Sequence, residues 1–155
     1  MKINWKKLII CLAIPLGVGG LAALLSGGMD TYKTLNQPPL SPPGWVFPIV
    51  WSILYLLMGY ASYRILMSEA EAAGIRKALI FYGIQLFLNF LWPLLFFGMQ
   101  WYWAAFILLV VLWAFIYLTM HLFGEIDDTA ENLLIPYLLW VTFAGYLNLG
   151  VALLN

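Results

Sequence analysis

The chain carries no charged side chain from Ala78 to Met120. A transmembrane helix needs about 20 predominantly apolar residues, so this stretch is long enough to cross a bilayer twice. The segment Gly98-Met99-Gln100 lies in its middle and supplies the residues of a turn. The sequence therefore predicts two antiparallel membrane helices, near residues 78–97 and 101–121, joined by a tight hairpin.

Three more apolar runs have the length of a membrane span, at about residues 8–27, 44–64 and 132–153. Hydrophobic residues make up 65% of the chain and charged residues only 9%. A soluble domain is about a quarter charged, and five spans leave no room for a separate soluble domain. We expect a single all-α domain over residues 1–155, an integral membrane bundle of five helices embedded in the lipid bilayer.

The first apolar run follows Lys2, Lys6 and Lys7. A basic start before an apolar run is also typical of a signal peptide. This run is longer than the usual apolar core of a signal peptide and lacks a convincing cleavage site. A membrane span is therefore the favoured interpretation, and a signal peptide is the alternative.

The connection over residues 30–43 is the longest polar segment between the spans. Its second half contains Pro38, Pro39, Pro42 and Pro43. These prolines hold it extended, because each ring fixes φ and disfavours helix in the preceding residue. Long loops in compact domains are commonly functional lids, so we expect this one to cap a pocket. A plain solvated loop is the alternative.

Basic residues are distributed unequally between the two sides of the predicted bundle. The N-terminus and the second connection together carry six Lys and Arg residues, whereas the opposite side carries only Lys33. Lys and Arg are enriched in cytoplasmic loops. We therefore expect the protein in the cytoplasmic membrane of the cell with its N-terminus on the cytoplasmic side. The long first loop then covers the outer face.

Three of the helices carry aromatic and polar side chains at helical spacing on one face. Buried amides in the hydrocarbon region need hydrogen-bond partners, so these faces should turn inward. The asparagines either line a pocket or join helices to one another, and the sequence supports both interpretations equally. The faces are Trp51, Tyr55, Met58 and Ser62 on the second helix, Gln85, Asn89, Trp92 and Phe96 on the third, and Tyr137, Trp140, Ala144 and Asn148 on the fifth.

The sequence lacks the residues that several classes of function require. No Asp, Glu, Lys or Arg lies in the interior of a predicted span, so coupled transport has no candidate proton relay or charged substrate site. One cysteine, Cys11, and one histidine, His121, do not make a metal site or a conventional acid–base pair. The net charge is zero and basic residues are few, which argues against nucleic acid as a partner. We expect no metal and no required cofactor.

Four motifs follow one another along the chain: PPxWxFPxVW at residues 42–51, WxxLYxxMGxASY at 51–63, QLxLNxxWPxxFF at 85–97 and PYLxWVxFAxxLN at 136–148. In this order they resemble the translocator protein family, whose members are also called tryptophan-rich sensory proteins or peripheral benzodiazepine receptors. The resemblance covers nearly the whole chain, and it implies a five-helix bundle, usually dimeric, with a pocket beneath the first loop. It also implies that the pocket binds porphyrins such as protoporphyrin IX and ligands of the isoquinoline carboxamide and benzodiazepine type. Bacterial members promote light-dependent breakdown of protoporphyrin, so the porphyrin is implied as ligand or substrate.

The resemblance also implies particular site residues. Trp51 and Trp140 match the pocket tryptophans, and Tyr32 matches the aromatic residue of the first loop. We therefore expect a flat ligand between the second and fifth helices with these two indoles against it. Indole is the most easily oxidised side chain, so Trp51 and Trp140 are also the candidate catalytic residues for light-dependent breakdown. The implied ligand-binding set is Tyr32, Pro42, Trp51, Tyr55, Asn89, Trp92, Trp103, Phe143, Ala144, Leu147 and Asn148.

The chain departs from the animal members of the family at two places. Their sterol motif needs an aromatic and then a basic residue after the fifth-helix Leu-Asn pair, and residues 149–155 supply neither. The fourth helix has Ile107 where animal members carry an acidic residue. The resemblance therefore does not extend to cholesterol recognition.

Three functions are consistent with the sequence. The chain could be a porphyrin-binding protein that responds to its ligand or degrades it in light, a passive carrier of tetrapyrroles or other hydrophobic molecules, or a membrane scaffold and stress regulator. Deep aromatic residues on inward faces favour the first two. We also expect a homodimer whose interface includes the third helix.

Overall fold

The computed structural model describes residues 2–27 and 30–155. Gly28 and Met29, at the end of the first apolar run, lie outside the described residues. Within these described ranges, 5 helices are long and apolar enough to cross a membrane, which confirms the predicted all-α bundle. The helices are α1 (Trp5–Leu25), α2 (Asp30–Thr34), α3 (Val46–Leu66), α4 (Ala72–Pro93), α5 (Tyr102–Gly124), α6 (Asp128–Leu133) and α7 (Ile135–Leu154).

Caps and prolines determine where several helices begin. The Asn4 side chain accepts a hydrogen bond from the backbone N–H of Lys7 at 3.1 Å and so caps α1. The Asp127 side chain accepts from the N–H of Thr129 at 3.0 Å and caps α6. Pro136 lies in the first turn of α7, where its missing N–H costs little.

Contacts at the two ends of the bundle show how the helices alternate in direction. At one end, which we call the N-terminal end, the N–H of Asn4 donates to the hydroxyl of Tyr63 at 2.9 Å. At the other end, which we call the loop end because it carries residues 30–43, the side chain of Asn148 on α7 donates to the carbonyl of Tyr102 at 2.9 Å. The beginning of α1 therefore meets the end of α3, and the beginning of α5 meets the later turns of α7.

The helices pack closely in the half of the bundle at the N-terminal end. A Cβ added to Gly59 on α3 would lie only 2.7 Å from the backbone oxygen of Cys11 on α1. Small residues allow this close approach of two membrane helices. Side chains with 0% exposure in this half are Met58, Ala61, Ile65, Ala78, Ile116, Phe123 and Ala130.

The first loop folds against the far end of α7. The side chain of Asn155 accepts from the N–H of Asn36 at 3.2 Å and donates to the carbonyl of the same residue at 2.9 Å. The hydroxyl of Tyr146 donates to the carbonyl of Pro39 at 2.7 Å. The loop is therefore tied to α7 at two points along its length.

The C-terminal end of α4 is irregular. Pro93 has no N–H to donate, and residues Leu94–Gly98 continue the helix as a π-helical turn. The N–H of Met99 donates to the carbonyl of Leu94 at 2.9 Å, five residues back along the chain. π-helical turns are rare and frequently lie at functional sites.

Candidate functional site

A cavity of about 320 Å³ lies in the half of the bundle at the loop end, between α1, α3 and α4. Ligand pockets commonly measure about 300–1,000 Å³, so this cavity is at the small end of that range. None of the described residues in its wall carries a charged side chain. We call it the larger cavity, and its lining is Leu16, Gly19, Gly20, Ala22, Ala23, Ser26, Phe47, Pro48, Trp51, Ser52, Tyr55, Asn89, Trp92, Pro93 and Phe97.

The larger cavity opens sideways through the bundle. The exposed residues of its lining include Gly20 and Ala23 on α1 and Pro48 and Ser52 on α3. These residues belong to two helices that have the length and composition of membrane spans. The mouth of the cavity therefore lies between the loop-end halves of α1 and α3 and opens to the side of the bundle.

Aromatic rings form the inner wall of the larger cavity. The rings of Trp51 and Tyr55 are stacked, with centroids 5.6 Å apart and planes inclined by 28°. The edge of Tyr137 on α7 meets Trp51 with centroids 6.2 Å apart. Trp51 is thus held between two tyrosine rings while it lines the cavity.

A chain of hydrogen bonds lies behind this wall and joins three helices. The hydroxyl of Tyr55 donates to Oδ1 of Asn89 at 2.9 Å, and Nδ2 of Asn89 donates to the hydroxyl of Tyr137 at 2.7 Å. The hydroxyl of Tyr137 in turn donates to Oε1 of Gln85 at 2.6 Å. Asn89 therefore serves in both roles that the sequence left open, since it joins helices and also lines the cavity.

Asn148 joins helices and does not line the larger cavity. Its Oδ1 accepts from the indole Nε1 of Trp92 at 2.9 Å, and its Nδ2 donates to the carbonyl of Tyr102. The side chain is 0% exposed. These two bonds fix Trp92 between α4 and α7, so that its ring forms a rigid part of the wall.

A second cavity, which we call the smaller cavity, lies beneath the first loop. Its volume is about 20 Å³, room for about one water molecule. Tyr32 covers it, with its ring 5.1 Å from that of Phe47 and its hydroxyl donating to the carbonyl of Pro42 at 2.7 Å. The lining is Tyr32, Ser41, Phe47, Trp92, Phe96, Phe97, Ala144, Leu147, Asn148 and Val151.

Tyr32 is a buried part of this cover. It is 4% exposed. Burial raises the pKa of its hydroxyl above the ordinary value, and a hydrogen bond with Ser41 partly opposes that rise. The hydroxyl therefore stays protonated at neutral pH and keeps its bond to the loop backbone.

The predicted site residues separate into three groups. Trp51, Tyr55, Asn89 and Trp92 line the larger cavity. A second group lines the smaller cavity beneath the loop, and a third lines neither. The second group is Tyr32, Ala144, Leu147 and Asn148, with Trp92 shared, and the third is Pro42, Trp103, Trp140 and Phe143.

The larger cavity lies between the first three membrane helices. The sequence predicts the ligand between the second and the fifth, and of the two cavities only the smaller is lined by residues of both of those helices. Trp140 on α7 packs its ring 5.8 Å from Phe47 and 5.6 Å from Phe143. Its indole N–H is buried and finds no acceptor among the described residues. Trp140 is therefore part of the packing around Phe47 and does not line a cavity.

Trp103 also lines neither cavity. It is 53% exposed. The buried face of α5 includes Ala105, Leu109 and Leu112, and Trp103 points away from that face. Its position two residues before Ala105 places it on the opposite side of a 3.6-residue turn.

The contribution of α1 to the larger cavity was missed by the sequence reasoning. Gly19, Gly20 and Ala23 line it, and a Cβ on Gly19 would collide with the ring of Tyr55. The signal was present as a cluster of small residues in the first apolar run. Small residues in a membrane helix predict close packing in general, and here they leave the space that becomes the cavity.

The described residues hold no group of three or more His, Cys, Asp or Glu side chains that could bind a metal ion. The polar groups of the larger cavity are hydroxyls and an amide. The arrangement can therefore bind an apolar aromatic molecule and offer it hydrogen bonds at a few points.

Comparisons with known proteins point in one direction. The model of the TspO/MBR family matches residues 9–154. The tryptophan-rich protein TspO of Chlorobaculum tepidum is 39% identical over 150 residues, which cover 96% of this chain and 95% of that protein. The tryptophan-rich sensory protein of Cereibacter sphaeroides is 38% identical over 155 residues, covering 100% and 95%. The translocator protein of Ovis aries is 36% identical over 138 residues, covering 86% and 80%.

Proposed function

The chain belongs to the TspO/MBR family, and from this premise we propose that it is a membrane receptor for a flat apolar ligand, in the first place a porphyrin such as protoporphyrin IX. The ligand lies in the larger cavity against Trp51. Isoquinoline carboxamide and benzodiazepine-type molecules, which are also flat and aromatic, occupy the same place. The observation that carries the proposal is the stacked pair Trp51 and Tyr55 on the wall of a cavity whose described lining residues are all uncharged.

The chemistry of the wall supports a ligand of this class. Aromatic side chains provide large rigid contact areas, and ligand pockets are mostly apolar with a few placed polar groups. Asn89 and Ser52 are such groups here. The sideways mouth suits a molecule that is dissolved in the bilayer, because it reaches the cavity without crossing water.

A receptor fits the shape of the cavity better than a carrier does. The lining residues fall within 16–26, 47–55 and 89–97, on α1, α3 and α4 and just beyond the ends of α1 and α4, all in the half of the bundle at the loop end. The hydrogen-bonded chain from Tyr55 to Gln85 lies next to this space, and tight packing fills the half beyond it. A carrier needs a path that reaches the second side of the membrane. Passive carriage of tetrapyrroles is therefore the weaker alternative.

Light-dependent breakdown of the porphyrin is the second part of the proposal. One electron leaves the indole of Trp51, enters the photoexcited porphyrin and passes on to dioxygen, the co-substrate. Return of one electron from the porphyrin restores the indole and leaves the porphyrin oxidised. Trp51 is placed for this step because it lines the larger cavity, whereas Trp140 does not.

Absorbance titration of the detergent-solubilised protein with protoporphyrin IX tests the proposal. We expect saturable binding, and we expect Trp51→Phe to weaken it by about 0.5–1.5 kcal/mol, the scale of an aromatic contact. Under light and at saturating porphyrin, Trp51→Phe should lose most of the breakdown rate. The matched variant Trp140→Phe should keep both binding and rate.

Two outcomes would contradict this proposal. A titration that does not reach saturation would contradict the proposal that the protein is a porphyrin receptor. Breakdown at the wild-type rate in porphyrin-saturated Trp51→Phe would contradict the role of Trp51 as electron donor. It would not contradict the proposed receptor function.

The proposal includes a homodimer that forms through α4. The outward face of this helix carries Ile80 at 53%, Ile84 at 37% and Phe87 at 59% exposure. Gly83 lies among them, and a Cβ there would meet no atom within 4 Å. A glycine between large apolar residues leaves a gap on the helix surface, so a second helix can approach closely there. Gly83→Leu should therefore shift the protein to monomer in light scattering, and an unchanged dimer would contradict this interface.

The proposal also includes insertion in the cytoplasmic membrane with the N-terminus inside. Six of the seven Lys and Arg residues lie in the chain segments at the N-terminal end of the bundle, and Lys33 lies at the loop end. Cysteine introduced at Lys2 should be labelled by an impermeant thiol reagent only after the cells are broken. Labelling in intact cells would reverse the orientation.

A further inference from the structure

Three aromatic rings separate the larger cavity from the smaller one. Phe47, Trp92 and Phe97 are the residues that line both cavities. The larger cavity has a volume of about 320 Å³ and the smaller about 20 Å³. These rings therefore form a partition, and the space available to a ligand depends on whether the partition stays closed.

Two of the three rings are held firmly. Trp92 is 7% exposed, its Nε1 donates to Asn148 and its ring stacks on Phe96 with centroids 5.0 Å apart. Phe47 is 8% exposed and lies between the rings of Tyr32 at 5.1 Å and Trp140 at 5.8 Å. Movement of either ring would disturb contacts on two neighbouring elements.

Phe97 is held less firmly than its two neighbours. It is half-buried, and its ring contacts are edge-to-face, 5.8 Å from Trp92 and 4.8 Å from Phe96. It has no polar atom that could be anchored by a hydrogen bond. Its backbone lies in the π-helical turn Leu94–Gly98 after Pro93, where the regular hydrogen-bond pattern of the helix is interrupted.

We propose that Phe97 is the residue that sets how large a ligand the site accepts. With the ring in the position seen here, the larger cavity takes a small flat molecule. When the ring rotates out of the partition, the larger cavity gains both the smaller cavity and the space that the ring itself filled. The joined space extends from the mouth between α1 and α3 to the underside of the first loop. This inference rests on the proposed function, because it concerns the ligand of the same site.

The ring position has a different consequence for small and for large ligands. A small ligand binds the closed form directly. A macrocycle binds only the open form, so its apparent affinity is reduced by the fraction of molecules in which the ring has moved. Minor conformations are commonly populated at about 0.1–10%, so removal of the ring should strengthen binding of the macrocycle by about tenfold or more.

The test compares two probe ligands on the intact protein in detergent. Carbazole is a flat molecule of three fused rings, and protoporphyrin IX is a macrocycle. We expect Phe97→Ala to bind protoporphyrin IX about tenfold tighter, since the obstacle is gone, and to change carbazole binding little. Phe97→Trp should do the opposite, with weaker protoporphyrin IX binding and nearly unchanged carbazole binding.

A matched control separates the effect of the partition from that of a lost phenyl ring. Phe81 lies on the same helix and packs against Phe115, with centroids 5.9 Å apart, away from both cavities. Phe81→Ala should leave the ratio of the two affinities as in the wild type. Equal changes for both ligands in Phe97→Ala, or weaker protoporphyrin IX binding in that variant, would overturn the role of Phe97. Binding of neither ligand by the wild type would instead overturn the proposed function.

Discussion

The two halves of the bundle are built on different packing principles. At the N-terminal end, Gly59 brings α3 against the backbone of α1, and Met58, Ile65 and Phe123 are completely buried. At the loop end, the same helices are held apart by aromatic rings, and both described cavities lie there. One half therefore fixes the helices relative to one another, and the other half leaves room for a ligand.

This difference in packing explains how a membrane bundle of this size can be stable and still contain a cavity. Lipid tails are as apolar as the helices, so association of the helices depends on close packing and on hydrogen bonds. The tight half supplies the packing. The chain of hydrogen bonds from Tyr55 through Asn89 and Tyr137 to Gln85 joins helices beside the cavity and supports its wall.

The largest effect is expected from a cavity created in the tight half. Phe123 is 0% exposed and contacts Tyr82 with ring centroids 5.9 Å apart. Phe123→Ala should lower the free energy of unfolding by about 3–5 kcal/mol, the usual cost of removing a buried phenyl ring. The matched variant Phe143→Ala removes a half-buried ring at the loop end, and its cost should be nearer 1 kcal/mol.

Unfolding of both variants in one detergent, followed by circular dichroism, measures this difference. Equal losses would show that the two halves contribute alike to stability. In that case the division into a packed half and a ligand-binding half would be wrong.

The next effect concerns the mouth of the larger cavity. Gly20 lines the cavity and has no atom within 4 Å of an added Cβ, so Gly20→Leu fills the opening without a collision. The association rate constant for protoporphyrin IX should fall by about tenfold, because binding then requires the leucine to move. Gly17 on the same helix is equally open but lies outside the lining, so Gly17→Leu is the control and should leave the rate unchanged.

Access beneath the first loop is the competing route. A disulfide between Asn36→Cys and Asn155→Cys, in a Cys11→Ala background, would close the loop where it is tied to α7. Binding that is blocked by this disulfide, together with a normal association rate in Gly20→Leu, would place the entrance under the loop.

The helices were predictable from the sequence because their signals are local. Uncharged runs of the right length and the turn at Gly98-Met99-Gln100 are enough to predict five spans. Trp51, Tyr55 and Asn89 could be placed on inward faces from their helical spacing, and they do line the larger cavity. Helical spacing describes which residues of one helix share a face.

The remaining features of the site depend on how the helices meet, and helical spacing carries no such information. Trp140 shares a face with Ala144 on α7, yet its ring packs against Phe47 and Phe143 and does not reach a cavity. The volumes of the two cavities depend on rotamers such as that of Phe97. The role of Gly20 depends on which side of α1 faces α3, and a run of glycines and leucines does not specify that side.

The smallest effect is expected at the N-terminal end, where Arg64 and Asp127 join α3 to the connection before α7. The Arg64 Nε lies 2.7 Å from the Asp127 carboxylate, and the two side chains are 30% and 19% exposed. Partial burial alone would raise the pKa of Asp127, but the hydrogen bonds from Arg64 and from the N–H of Thr129 prevail and hold it below the ordinary value. The carboxylate is therefore charged in the folded protein to a lower pH than in the unfolded chain.

The pH dependence of stability follows from that direction. A carboxylate with a lowered pKa contributes its full stabilisation above the unfolded pKa of about 3.9, and the contribution is lost as the pH falls through the lower folded value. Asp127→Asn keeps an oxygen to cap α6 but removes the charge, so it should cost about 0.2–1 kcal/mol at pH 7. Asp127→Ala also removes the cap and should cost about 1 kcal/mol more. The difference between wild type and Asp127→Asn should begin to shrink as the pH falls through about 3.9 and should disappear only below the lower folded pKa. A difference that does not shrink would show that it does not come from the charge of Asp127.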